Sequence, residues 1–98
     1  MEFQTISVRE FEEYRKEQDT LVIDLRSKEE YEKMHVEGAR NIPFDDFNQY
    51  KKELSKEKRY ILYCDRGSAS LMTARELGKE GYRTATVVGG MQALMQNI

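Results

Sequence analysis

The sequence has only one cysteine, Cys64, and therefore cannot form an internal disulfide. It also has no run of about 18 apolar residues, the length that suggests a membrane-spanning helix. Its first four residues lack the basic start and apolar centre of a secretory signal peptide. Because a free thiol is typical of a reducing compartment, these absences predict a cytoplasmic protein.

A charge excess of either sign is also missing. The 16 basic and 18 acidic residues leave a formal net charge of −2, which gives no electrostatic reason to expect nucleic acid or a membrane as a partner. Along residues 51–59 the two signs are interleaved, as on a solvated surface. With one cysteine and one histidine, the chain offers no Cys/His cluster for a metal. We therefore expect neither a metal nor another cofactor.

The most informative segment of the sequence is residues 59–81. It opens with an apolar run, residues 60–63, which predicts a strand buried on both faces. Cys64 ends this strand, and a loop of small and polar residues follows it. Apolar residues then recur at helical spacing until Gly81, which is predicted to stop the helix. They are Leu71, Ala74 and Leu77, with Met72 alongside. The thiol is thus placed where a helix begins, a position that favours an anion.

Short apolar runs and amphipathic segments alternate along the rest of the chain. Strands are predicted at residues 3–6, 21–23, 39–41 and 84–88. Helices are predicted after Ser7, after Ser27 and after Asp45, with a short terminal one over residues 91–96. This alternation is typical of an α/β fold around a mostly parallel sheet.

The predicted helix starts carry capping residues. Ser7 with Glu10, and Ser27 with Glu30, match the capping box, in which the two residues satisfy each other's free backbone N–H. Asp45 is expected to cap the third helix. One face of that helix is expected to carry Phe47, Tyr50 and Leu54.

Several short motifs follow one another in a set order. The first half contains Asp24-Leu25-Arg26, Glu30-Tyr31 and the run HVEGARNIP at residues 35–43. The second half contains the Cys64 segment, Gly81-Tyr82, Val87-Val88 and Gly89-Gly90. This set resembles the rhodanese-type sulfurtransferase domain over nearly the whole chain. The resemblance implies a single rhodanese-like domain, residues 1–98, folded as a three-layer α/β/α sandwich around a mostly parallel five-stranded sheet.

The same resemblance implies a chemistry. Cys64 would take sulfane sulfur from thiosulfate or a persulfide donor, hold it as a persulfide, and pass it to cyanide or a thiol acceptor. The substrate-binding residues would be Asp65, Arg66, Gly67, Ser68, Ala69 and Ser70. The implied partners are a small sulfur-containing anion or a protein persulfide donor, and a thiol acceptor. No cofactor is implied.

Physical chemistry gives Cys64 two interpretations. A cysteine at the end of a buried strand is commonly an inert core thiol. Sulfur transfer needs the thiolate, which a free cysteine forms only in small part at pH 7. A helix N-terminus contributes up to ~2 kcal/mol to an anion, and hydrogen bonds to a charged group contribute ~1.5–3 kcal/mol each. A cradle of loop N–H groups from Arg66 to Ser70 is sufficient in magnitude without a basic partner, so we favour the reactive interpretation.

Three other polar residues invite a functional interpretation. His35 could act as a general base for Cys64, but its place in the motif indicates a hydrogen-bonded turn residue. Asp24 and Arg26 could bind substrate. We interpret them instead as a structural tie from strand to helix through Glu29 or Glu30.

The sequence departs from the family's pattern at two positions. Ala69 stands where many members have an arginine, and Leu94 where they often have a tryptophan. Because Ala69 carries no charge, we predict that an anionic sulfur donor is used weakly. Arg66 is the loop cation that would take the place of the missing arginine.

A phosphatase of the same fold would need a longer loop and an arginine where this chain has Ser70, and is therefore disfavoured. The second alternative is a non-enzymatic persulfide carrier or sensor module that docks on a protein partner.

Overall fold

The computed structural model describes residues 2–96 and contains a five-stranded sheet with helices on both faces. The strands are β1 (Glu2–Ile6), β2 (Thr20–Asp24), β3 (Arg40–Asn41), β4 (Arg59–Tyr63) and β5 (Arg83–Val87). Their order across the sheet is β1-β5-β4-β2-β3, and every neighbouring pair is parallel. The expected α/β/α architecture is confirmed, with a sheet that is entirely parallel.

Five helices connect and cover the strands. They are α1 (Val8–Tyr14), α2 (Lys28–Lys33), α3 (Phe47–Tyr50), α4 (Ser68–Lys79) and α5 (Gly90–Met95). Single 3₁₀ turns, Phe44–Asp46 and Lys51–Glu53, flank α3. Within residues 2–96 no helix combines the length and the apolar character needed to span a bilayer.

Strand β4 lies at the centre of the sheet and is buried on both faces, as predicted. Its side chains alternate between two apolar clusters. Tyr60 and Leu62 belong to the cluster under α3 and α4, and Ile61 and Tyr63 to the one under α1 and α5. Cys64 continues this alternation on the α3 and α4 side. The direction of the thiol is therefore set by the register of a buried strand.

The capping predictions have three different outcomes. The Ser7–Glu10 capping box is present in full. At α2, Ser27 Oγ accepts from the Glu30 N–H at 3.2 Å, but the Glu30 carboxylate accepts from the Ser27 hydroxyl at 3.4 Å instead of from the backbone. The prediction for Asp45 is wrong. Asp45 lies inside the 3₁₀ turn, which begins directly after Pro43 and has no side-chain cap, so it stands too late in the chain to cap the first turn.

Some residues of the predicted helical patterns are exposed. Tyr50, Leu71 and Met72 are 39%, 39% and 58% exposed. Helix α4 begins at Ser68, inside the predicted loop, and its first turn packs over Cys64 with Ser70 inward. Its buried residues are Ser70, Thr73, Ala74, Leu77 and Gly78. This set has ordinary helical spacing, but it starts with a serine that an apolar pattern does not reveal.

The N-terminus of α5 holds the loop that follows β4. The Met91 N–H donates to the Cys64 carbonyl at 2.7 Å, and the Gln92 N–H donates to the Asp65 carbonyl at 3.1 Å. Gly90 permits this approach, because a Cβ there would lie 2.4 Å from Cys64 O. The backbone around the cysteine is therefore fixed from outside its own loop.

We expect Gly90→Ala to destabilise the fold more than Gly38→Ala. Both glycines have positive φ, 60° and 84°, so alanine costs about 1–2 kcal/mol at either position. Only at Gly90 would the new methyl group meet backbone atoms, whereas a Cβ at Gly38 has nothing within 4 Å. Overpacking should add about 1–3 kcal/mol, measurable by urea unfolding. Equal losses in the two variants would contradict the importance of this close approach.

Candidate active site

Cys64 lies just beyond the carboxyl end of β4 as a free thiol that is 7% exposed. Two backbone groups donate to its sulfur. The Gly67 N–H lies 3.1 Å from Sγ and the Ser70 N–H lies 3.4 Å from it. Gly67 is the N-cap residue of α4 and has a φ of 110°, a backbone conformation that favours glycine. The start of α4 thus curls around the sulfur.

The groups that face the sulfur are suited to negative charge. Burial alone opposes a charge, so a charged group at this position depends on the donors around it. Hydrogen bonds to a charged group contribute about 1.5–3 kcal/mol each. The structure supplies such donors in the N–H groups of Gly67 and Ser70, at the N-terminus of α4.

A pair of hydroxyl groups lies behind the sulfur. Ser70 is fully buried, and its Oγ lies 3.5 Å from Cys64 Sγ. The same oxygen lies 2.7 Å from Oγ1 of Thr86, a 3% exposed residue of β5. Sequence reasoning missed Thr86. The signal that could have revealed it is a pair of threonines, Thr84 and Thr86, at alternate positions of a predicted strand.

The remaining loop side chains point elsewhere. Asp65 Oδ2 accepts from the Gln92 amide at 3.4 Å. Arg66 is exposed and forms no ion pair with any described residue, and Ser68 is exposed at the first position of α4. Ala69 is half-buried and packs against the apolar cluster under α4. Of the predicted substrate-binding residues, the structure brings Gly67 and Ser70 into contact with the sulfur and turns Asp65 and Ala69 away from it.

A cleft of about 220 Å³ adjoins this loop. It is lined by Arg66, Gly67 and Ser68 from the loop, by Leu71 of α4, and by residues at the carboxyl ends of β1 and β5. A larger cleft of about 350 Å³ lies between α3 and α4, but no residue from Cys64 to Ser70 lines it. Cys64 lines neither cleft, but the smaller one includes Gly67, whose N–H donates to the sulfur, and is therefore the better candidate for binding a small molecule near the loop.

Asp24 and Arg26 form a structural ion pair. Asp24 is fully buried, and its Oδ2 accepts from Arg26 Nη2 at 2.9 Å. Arg26 also donates to the Met34 carbonyl. Burial would lower the pKa of Arg26, but the hydrogen bond and charge of Asp24 outweigh it and raise that pKa. The predicted tie to Glu29 or Glu30 is wrong, because the partner of Arg26 is the carboxylate two residues earlier.

His35 lies just after α2 as an exposed turn residue. Its Nδ1 lies 2.7 Å from the Tyr31 carbonyl, and its ring stacks on Tyr31 with centroids 3.8 Å apart. Because a carbonyl only accepts, Nδ1 carries the hydrogen. The interpretation of His35 as a hydrogen-bonded turn residue agrees with this geometry. Across residues 2–96, no group of three or more His, Cys, Asp and Glu side chains could hold a metal ion.

The model of the rhodanese-like domain family matches residues 7–97. The chain belongs to the rhodanese-like domain family. The rhodanese-related protein from Thermoplasma volcanium shares its fold, with a TM-score of 0.88 and 24% identity over 96% of this chain and 92% of that one.

Two relatives of this rhodanese-like domain carry functional names. It is 28% identical over 93 residues to the thiosulfate sulfurtransferase GlpE of Coxiella burnetii, covering 94% of this chain and 87% of that protein. It is 38% identical over 73 residues to the tRNA sulfurtransferase of Desulfurococcus amylolyticus, covering 74% of this chain. The match spans only 14% of the length of that tRNA sulfurtransferase.

His35 is hydrogen-bonded to the Tyr31 carbonyl. We therefore expect His35→Gln to leave the rate of Cys64 alkylation by iodoacetamide within about twofold of the wild-type rate at neutral pH. Gly67→Ala serves as the positive control. The alanine would strain a φ of 110° and bring a Cβ within 3.3 Å of Gly89 N, disturbing a donor to the sulfur. A tenfold fall in His35→Gln, equivalent to about 1.4 kcal/mol, would instead make His35 an electrostatic partner of the thiolate.

Proposed function

We propose that this protein is a sulfurtransferase that carries sulfane sulfur as a persulfide on Cys64. The observation that supports this most directly is the pair of N–H groups, from Gly67 and Ser70, directed at the sulfur at 3.1 and 3.4 Å. Membership of the rhodanese-like family and two relatives named as sulfurtransferases support the same reaction class.

The proposed reaction has two displacement steps. The Cys64 thiolate attacks the outer sulfur of a donor such as thiosulfate, so a new S–S bond forms while the donor's own S–S bond breaks and sulfite leaves with the electron pair. Cyanide or a thiolate acceptor then attacks the outer sulfur, and Cys64 leaves as the thiolate. The N–H groups of Gly67 and Ser70 stabilise the thiolate that is the nucleophile of the first step. They assist the second step directly, because negative charge develops on the Cys64 sulfur as it leaves.

The side chains around the loop bear on the choice of donor. Arg66 is the one loop cation, and it is exposed to solvent, while the Ala69 side chain lies against the apolar cluster. A small dianion such as thiosulfate therefore has little charge to hold it. We propose that a persulfide or a protein-bound donor is used better than thiosulfate, and that the physiological acceptor is a thiol.

A phosphatase activity is disfavoured by the same loop. The position that would carry the phosphate-clamping arginine holds Ser70. This serine is fully buried, and its hydroxyl is hydrogen-bonded to Cys64 and Thr86. It faces the core and offers no cation to an oxyanion in the cleft.

Cys64→Ser should abolish sulfur transfer, because the hydroxyl is not ionised at neutral pH and forms no persulfide. Intact mass after incubation with thiosulfate should show one added sulfur in the wild-type protein and none in the variant. Turnover by Cys64→Ser at the wild-type rate would contradict the proposal. An added sulfur without repeated turnover would indicate the carrier alternative.

Ala69→Arg should improve the use of thiosulfate at low salt by about fivefold in kcat/KM, or ~1 kcal/mol, mainly through a lower KM. The alanine methyl packs against the apolar cluster, but a longer arginine keeps its charged end in water at the surface beside the loop. The gain should shrink as salt is raised, because the site is partly exposed. Ala69→Gln is the matched control, since it adds a long polar side chain without charge. If both variants gain equally, or if Ala69→Arg gains nothing, the missing cation does not limit the reaction.

A further inference from the structure

Three side chains from separate parts of the fold form a continuous buried contact behind the sulfur. Cys64 follows β4, Ser70 lies in α4 and Thr86 lies in β5. Ser70 Oγ lies 3.5 Å from Cys64 Sγ and 2.7 Å from Thr86 Oγ1. All three residues are at most 7% exposed. Because buried hydroxyls find their partners mostly within the protein, their donors and acceptors can be counted.

The Ser70 hydroxyl has one hydrogen and two lone pairs. While Cys64 is a thiol, its S–H can donate to Ser70 Oγ, and the Ser70 hydrogen can go to the Gly67 carbonyl at 3.2 Å. That carbonyl has another donor, the Leu71 N–H at 3.0 Å. A thiolate can only accept, so after ionisation the Ser70 hydrogen must turn from Gly67 to the sulfur for the contact to remain favourable.

Thr86 decides whether this turn is possible. If the Thr86 oxygen accepted from Ser70, the single hydrogen of Ser70 would be used and a lone pair would face the thiolate. If the Thr86 hydroxyl donates to Ser70, the Ser70 hydrogen stays available to the sulfur. The thiolate state therefore requires Thr86 to be the donor of the 2.7 Å bond.

We propose that Thr86 is a positioning residue that directs the Ser70 hydroxyl at the Cys64 thiolate. Ser70 then supplies a third donor, in addition to its own N–H and that of Gly67. The proposal rests on the proposed function, since it concerns the same thiolate. The Thr86 hydroxyl of β5 then belongs to the sulfur site, although it acts on the sulfur only through Ser70 of α4.

The test compares two threonine-to-valine substitutions in the same strand. Thr86→Val keeps the side-chain shape and removes the hydroxyl. We expect its pH profile of iodoacetamide alkylation to move to higher pH, with about fivefold slower alkylation on the rising limb. Thr84→Val is the matched control, because Thr84 is also buried but donates to the Ala74 carbonyl at 2.7 Å. Its alkylation profile should not move.

Two further variants separate positioning from a purely structural effect. Thr86→Ser retains the donor and should restore alkylation to within about twofold of wild type. In a Ser70→Ala background, Thr86→Val should have no additional effect, because the hydroxyl through which Thr86 acts is gone. If Thr86→Val does not fold, Thr86→Ala carries the same expectation.

Alkylation needs no sulfur donor, so the outcome is independent of the proposed reaction. No variant changes another titratable residue near the sulfur. These residues are Asp65 and Arg66 in the loop, and Tyr60 and Tyr82 in the apolar cluster to which Cys64 belongs. An unmoved profile in Thr86→Val, an equal displacement in Thr84→Val, or no recovery in Thr86→Ser would overturn the proposal. A displacement confined to Thr86→Val would uphold it even if no sulfur transfer from thiosulfate were found.

Discussion

The structure depends on the backbone hydrogen bonds that fix the loop after β4. Because the donors nearest the sulfur are main-chain N–H groups, the chemistry requires the loop to keep one conformation. The Met91 and Gln92 N–H groups hold its first two carbonyls, and Gly67 supplies the positive φ that turns the chain into α4. Gly90 lets these segments approach closely. The site is therefore a property of how α5 docks on the end of β4, more than of the loop sequence itself.

The parallel sheet explains why these parts meet. In a parallel sheet the carboxyl ends of all strands lie on one edge, which is where ligands bind in open α/β folds. Here β4 and β5 are neighbours, so Cys64 after one strand and Thr86 near the end of the next lie close together although 22 positions separate them in the sequence. The Asp24–Arg26 pair lies on the same edge, at the end of β2, where Arg26 also bonds to the Met34 carbonyl after α2. A buried pair of this kind is weak evidence of added stability.

The sequence allowed the two strands β2 and β4 to be predicted because continuous apolar runs have few other interpretations. The cysteine loop was equally visible, since a lone thiol between such a run and a helix is unusual. Side-chain directions were harder. Ser70 faces inward and Leu71 outward because α4 begins at Ser68 and packs its first turn against the sulfur. Asp45 failed as a cap for a related reason, since a 3₁₀ turn begins earlier than the apolar pattern indicates. Both errors concern where a helix starts, which tertiary contacts decide.

The donors to the sulfur and the cleft beside the loop depend on different groups. The donors are the backbone N–H groups of Gly67 and Ser70, at the turn into α4. The Ala69 side chain lies against the apolar cluster, and the cleft is lined by the side chains of Arg66 and Leu71. The side chains of Arg66 and Leu71 can therefore differ without removing either N–H donor. An alanine at position 69 likewise leaves both donors in place.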